Sequence, residues 1–113
     1  QIVVETMHVR KLKMLEMADA VVALPGGCGT FEELLEAITW KRLGLFFGPI
    51  IIVNTRDYYA PLVAMLERAV DERFMNETHR SMWNLVDRPE DILPVIDATP
   101  DWDRKARDYA AVK

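Results

Sequence analysis

The chain has 113 residues, half of them apolar, with 14 Lys+Arg against 18 Asp+Glu. That length allows one domain, and a mean hydropathy of −0.02 argues for a packed core over a disordered chain. The net charge of −4 gives no global field for nucleic acid or an anionic membrane, and the single cysteine excludes an internal disulfide framework or a multi-Cys zinc site.

In chain order, Ile2–Glu5 is β-branched and predicts a strand, and Val9–Ala18 carries Val9, Leu12, Leu15 and Met14, Met17 at helical spacing. Ala20–Leu24 is a continuous apolar run, the pattern of a strand buried on both faces. The loop Pro25-Gly26-Gly27-Cys28-Gly29 follows, after which Thr30 is predicted to open a helix through Phe31, Leu34, Leu35 and Ile38 that ends near Leu43-Gly44. Pro49–Val53 predicts a second buried strand, and Tyr58–Phe74 a helix through Leu62, Met65, Leu66, Ala69 and Val70. Trp83–Val86 predicts a short strand, Pro89–Ile96 a helix with proline in its first turn, and Asp101–Val112 a polar helix or tail. Apolar stretches such as 43–47 and 50–53 fall far short of the ~20 residues that span a bilayer. No signal peptide is recognisable, so a soluble cytoplasmic protein is expected.

Alternating strands and helices with apolar strands imply a parallel α/β sheet covered on both faces. Three or four strands are few for such a sheet, and open edges are a liability in solution. Further strands are therefore expected on the N-terminal side.

Three of the five glycines lie within Gly26–Gly29, between a buried strand and a helix. Glycine permits positive φ and lets backbone N–H groups turn together, while a helix start adds unpaired N–H groups and about half a positive charge. The arrangement is an anion cradle suited to phosphate; a tight turn with nothing bound is the alternative. Thr30 and Glu33 form T-x-x-E, either a capping box or a carboxylate placed beside the cradle. Arg10 and Lys11 stand in the first turn of their expected helix, where positive charge opposes the macrodipole. Facing an anionic ligand or a carboxylate would explain them; two solvated surface charges would also do so. His8 has no partners at ligand spacing, so no metal site is expected, and His79 lies in a polar stretch expected at the surface. Cys28, at a helix start, has no histidine placed beside it to make a nucleophile pair. Met14, Met17, Met65 and Met82 are expected to fill the core, whereas Met7 adjoins Arg10 and Lys11. By themselves these residues support a phosphorylated small ligand without choosing a reaction.

Met7-His8-x-Arg10-Lys11 followed by Pro25-Gly26-Gly27-x-Gly29-Thr30-x-x-Glu33 resembles the LOG (Lonely Guy) family of cytokinin riboside 5′-monophosphate phosphoribohydrolases. The likeness continues through Thr39-Trp40, Leu43-Gly44, Pro49-Ile50, Asn54 and Tyr58-Tyr59, covering about residues 1–97 and leaving 98–113 as a polar tail. The resemblance implies a Rossmann-like parallel sheet with helices on both faces, of which this chain matches the C-terminal portion. It implies a hydrolase that cuts the N-glycosidic bond of AMP-like or N6-substituted adenosine monophosphates, releasing base and ribose 5-phosphate. Arg10 and Glu33 would be catalytic, and Met7, Lys11, Gly26, Gly27, Cys28, Gly29, Thr30, Glu32 and Thr39 would bind substrate. No metal or other cofactor is implied, and a homodimer is. Family members are often labelled possible lysine decarboxylases, but the chain is short for a pyridoxal-phosphate fold and has no candidate Schiff-base lysine motif. Where the family commonly has an aromatic residue this chain has Cys28, and Phe46-Phe47-Gly48 replaces a more polar run. A carrier that holds a phosphorylated ligand on a similar glycine loop without cleaving it is the alternative function.

Overall fold

The computed structural model describes residues 19–102. The predicted strand Ile2–Glu5, the predicted helix Val9–Ala18 and nearly all of the tail lie outside them, as do Met7, His8, Arg10 and Lys11. Within the described residues, β1 (Val21–Ala23), β2 (Ile50–Val53) and β3 (Asn84–Val86) alternate with α1 (Cys28–Arg42), α2 (Ala60–Asp71) and α3 (Ile92–Ala98). The strands form one parallel sheet in the order β1-β2-β3, with Val22 beside Ile51 and Ile51 beside Asn84.

β2 is the central strand of the described sheet. All four of its residues are at most 1% exposed, which is why the sequence Ile-Ile-Ile-Val shows no alternation there. Its side chains divide the core by the period of two inherent in a strand. Ile50 and Ile52 join Ala23, Leu34, Ile38, Trp40, Tyr59 and Leu66, so α1 and α2 cover that face. Ile51 and Val53 join Val86 beneath Ile92, Val95 and Ile96, so α3 covers the other. The fold is therefore the expected parallel α/β sheet with helices on both faces.

Several boundaries depart from the sequence reading. α1 begins at Cys28 behind an N-cap Gly27, not at Thr30, and no side chain caps it. Thr30 is thus the third helical residue, and the Thr30–Glu33 capping box is not formed. The loop glycines do not use the positive φ open to them; among the described glycines only Gly44 has it, at 77°, where the chain leaves α1. The remaining left-handed residues are Arg56, Asp57 and Arg73. A 3-10 turn, Thr55–Asp57, precedes α2, and another, Pro89–Asp91, takes the first part of the expected last helix. Pro94 falls in the first turn of α3, where its missing N–H breaks no helical bond.

His79 is not at the surface but wholly buried, within the 3-10 turn Glu77–Ser81. Its Nδ1 accepts the Asn76 N–H at 3.0 Å while Asn76 Oδ1 accepts the Thr78 N–H at 2.9 Å. An imidazole that accepts through Nδ1 must lack a proton there, and burial, followed by the Arg42 charge, pushes His79 below its ordinary value. Arg80 of the same turn pairs with Glu67 and Asp71 of α2 and with Glu77, fastening the turn to the helix.

Candidate anion site at the carboxyl edge of the sheet

In a parallel sheet all strands end on one edge, and there β1 runs into the glycine loop and β2 into Asn54. The first bond of α1 is Phe31 N–H to Gly27 O at 3.0 Å. Cys28, Gly29 and Thr30 therefore present the N–H groups that a helix start leaves without intrahelical acceptors. No acidic residue stands in the first turn, so no carboxylate of that turn offsets the positive end of the macrodipole.

Space rather than positive φ accounts for the glycines. A Cβ on Gly26 would lie 2.4 Å from Thr30 Oγ1 and 3.0 Å from Thr30 Cβ. A Cβ on Gly27 or Gly29 would meet nothing within 4 Å. The first glycine is required by packing against Thr30. The other two leave open ground before a row of N–H donors, ground that packing among the described residues does not use.

The loop is held from the next β–α unit. Tyr58 Oη donates to the Gly26 carbonyl, and Tyr59 Oη donates to the Leu24 carbonyl. Tyr58 stacks on Phe31 of α1 with ring centroids 6.5 Å apart and planes at 22°, and meets Tyr59 edge-on at 5.1 Å. Asn54 Oδ1 in turn accepts the Tyr59 N–H at 2.8 Å, and Asn54 N–H donates to Val86 O at 2.8 Å. Burial, and then the adjoining Tyr58, push the Tyr59 phenol above its ordinary value, which keeps it a proton donor. This chain of bonds ties β3, β2 and the loop together. Local pattern does not carry it, because each tyrosine reaches more than thirty residues back along the chain.

Glu33 follows from helix geometry. It precedes buried Ala37 by four residues and buried Trp40 by seven, so it lies on the inward stripe of α1, yet it is exposed. The stripe has by then run past the edge of the sheet. Thr30 lies one turn before it on the same side, against Gly26. Glu33 makes no hydrogen bond or ion pair among the described residues. The structure thus brings Gly26, Gly27, Cys28, Gly29, Thr30 and Glu33 to one edge. Glu32 is exposed about 100° further round the helix. Thr39 is not brought to the loop: it lies nine residues beyond Thr30, roughly 14 Å along the axis, and its hydroxyl donates to Leu35 O at 2.8 Å.

The sequence reading passed over Lys41. Its Nζ donates to Gly48 O at 2.7 Å and sits 5.4 Å from the centre of the Trp102 ring, with 1% of the residue exposed. Burial pushes it down to about 8 against the opposing pull of Asp101. The signal was present in the sequence, since Leu34, Ile38 and Lys41 continue one helical stripe. Lys41 belongs to the amino edge of the sheet, beside the turn into β2, and not to the glycine loop. Among the described residues no group of three His, Cys, Asp or Glu could hold a metal, and no helix is long and apolar enough to cross a membrane.

A family model described as "Possible lysine decarboxylase" matches residues 1–96. The chain is 51% identical over 79 residues to a cytokinin riboside 5′-monophosphate phosphoribohydrolase of Arabidopsis thaliana, covering 70% of this chain and 37% of that protein. A second such protein of A. thaliana is 43% identical over 98 residues, covering 80% of this chain and 46% of its own length. A bacterial one, from Rhodococcoides fascians, is 47% identical over 79 residues, with coverages of 70% and 40%. The chain thus spans less than half the length of each of these relatives.

Proposed function

The chain belongs to the family described as possible lysine decarboxylases, the LOG family, and on that premise we propose that it is the phosphate-binding and catalytic-carboxylate part of a nucleoside 5′-monophosphate phosphoribohydrolase. The observation that carries the reading is the pairing of an open row of N–H donors, Cys28 to Thr30, with exposed Glu33 on the same edge of the sheet. The 5′-phosphate of an AMP-like substrate sits on Gly27, Cys28, Gly29 and Thr30, where the helix start favours negative charge. Its C1′–N bond breaks through an oxocarbenium-like transition state, which a nearby carboxylate stabilises electrostatically. Water adds its oxygen to C1′ and gives a proton to Glu33, while the base leaves with the bonding pair and takes a proton from solvent, to which Glu33 returns the one it accepted. Arg10 and Lys11, outside the described residues, orient the carboxylate and the substrate, and Met7 lines the base pocket. The protein works in the cytoplasm as a homodimer.

The test is incubation of the protein with AMP, beside a Glu33→Ala variant, with free adenine measured by chromatography. Adenine from the native protein, reduced in the variant by on the order of a hundredfold or more, is the expected result. Equal release by both removes Glu33 from the mechanism. Binding of AMP without any release leaves a carrier.

A further inference from the structure

The two tyrosines that hold the glycine loop have unequal consequences. A trans peptide is planar, with its C=O and N–H pointing in opposite directions. Fixing the Leu24 carbonyl, as Tyr59 does, orients a peptide whose nitrogen belongs to Pro25 and carries no hydrogen. Fixing the Gly26 carbonyl, as Tyr58 does, orients the Gly27 N–H. That N–H then points away from Tyr58, one residue before those of Cys28, Gly29 and Thr30. Neither Gly26 nor Gly27 has a side chain of its own to fix the plane of that peptide.

We propose that Tyr58 is a positioning residue for the anion cradle, its hydroxyl on the Gly26 carbonyl turning the Gly27 N–H toward the phosphate of the ligand. The inference rests on the cradle reading given above and not on the bond cleavage. Tyr58 is placed for the task by its stack on Phe31 and its edge contact with Tyr59, and both survive loss of the hydroxyl. It is also 46% exposed, whereas Tyr59 is 1% exposed and part of the core. Tyr59 holds the fold and Tyr58 holds the donor.

The experiment compares native protein, Tyr58→Phe and Tyr59→Phe by thermal melting, by KM and kcat for AMP, and by calorimetric titration with ribose 5-phosphate. For Tyr58→Phe the expected result is an unchanged melting midpoint and a kcat near native. KM for AMP and Kd for ribose 5-phosphate should both rise about five- to tenfold, the effect of misdirecting one donor to a charged acceptor. Tyr59→Phe should instead lower the melting midpoint. Ribose 5-phosphate binding that weakens in Tyr58→Phe while no variant releases adenine would support the positioning role and sink the hydrolase reading. Native affinity in Tyr58→Phe overturns the proposal, as does a loss of affinity matched by a loss of melting temperature. A native protein that binds neither ligand overturns it too, since there is then no cradle to position.

Discussion

The glycines of the loop are not interchangeable, and Gly29 shows it most clearly. It is the second residue of α1, and a Cβ there meets nothing within 4 Å. Gly29→Ala removes a flexible residue from a helix and should stabilise the protein by up to about 1 kcal/mol. The same methyl enters the open ground before the helix start, where it should weaken AMP binding by on the order of tenfold. Denaturant melts and AMP titrations on this variant should therefore move in opposite directions, whereas a loop with no ligand would show only the gain. Gly48 is a purely structural contrast, because a Cβ there would lie 2.3 Å from the Asp19 carbonyl oxygen.

Among the elements, α1 carries a group at each end with opposite electrostatic logic. Its start is open to an anion, while its last turn holds Lys41 and Arg42, which suit the negative end of the dipole. Lys41 nevertheless bears a burial penalty on its charge. In the folded protein it releases its proton near pH 8, but in the unfolded chain only near the ordinary 10.5. Between those values the unfolded state binds more protons, so this residue makes stability rise with pH across that window. Relative to a Lys41→Met variant, the native protein should gain about 3 kcal/mol between pH 7 and pH 10.5. Urea melts of both proteins across that range measure it, and a constant difference between them would show that Lys41 is not buried as a charge. Taking the difference cancels other groups such as Tyr59, whose raised value acts in the opposite sense above pH 10.

At the scale of the whole molecule, burial among the described residues is deepest along β2. Ile51 and Ile52 are both 0% exposed but serve different cores, one beneath α3 and the other beneath α1 and α2. Ile52→Ala should cost about 2–5 kcal/mol, a large part of the roughly 5–15 kcal/mol that holds a domain together. By contrast, Leu93 of α3 is 70% exposed, and Leu93→Ser should stay within about 0.5 kcal/mol of native. Chemical denaturation of the pair distinguishes a sheet-centred core from one spread over the helices. Equal losses would refute the sheet-centred core.

Within residues 19–102 the sequence by itself determined which segments form strands and helices and where the glycine loop falls between them. An unbroken apolar run such as Ile50–Val53 needs burial on both faces, and a glycine loop between such a run and a helical stripe marks the carboxyl edge. These are local properties, carried by neighbours within one or two turns. Only the tertiary structure decided that α1 starts at Cys28, which sets Thr30 against Gly26 and leaves Glu33 uncapped beyond the sheet. Lys41 is legible in its helical stripe, but the burial of His79 was decided the same way, by what packs over it and not by the polar residues beside it in the chain. So were the bonds from Tyr58 and Tyr59 to the loop. Periodicity reports which side of an element is apolar, but a hydrogen bond to a backbone carbonyl thirty-two residues away depends on where two elements meet, and no local pattern encodes that.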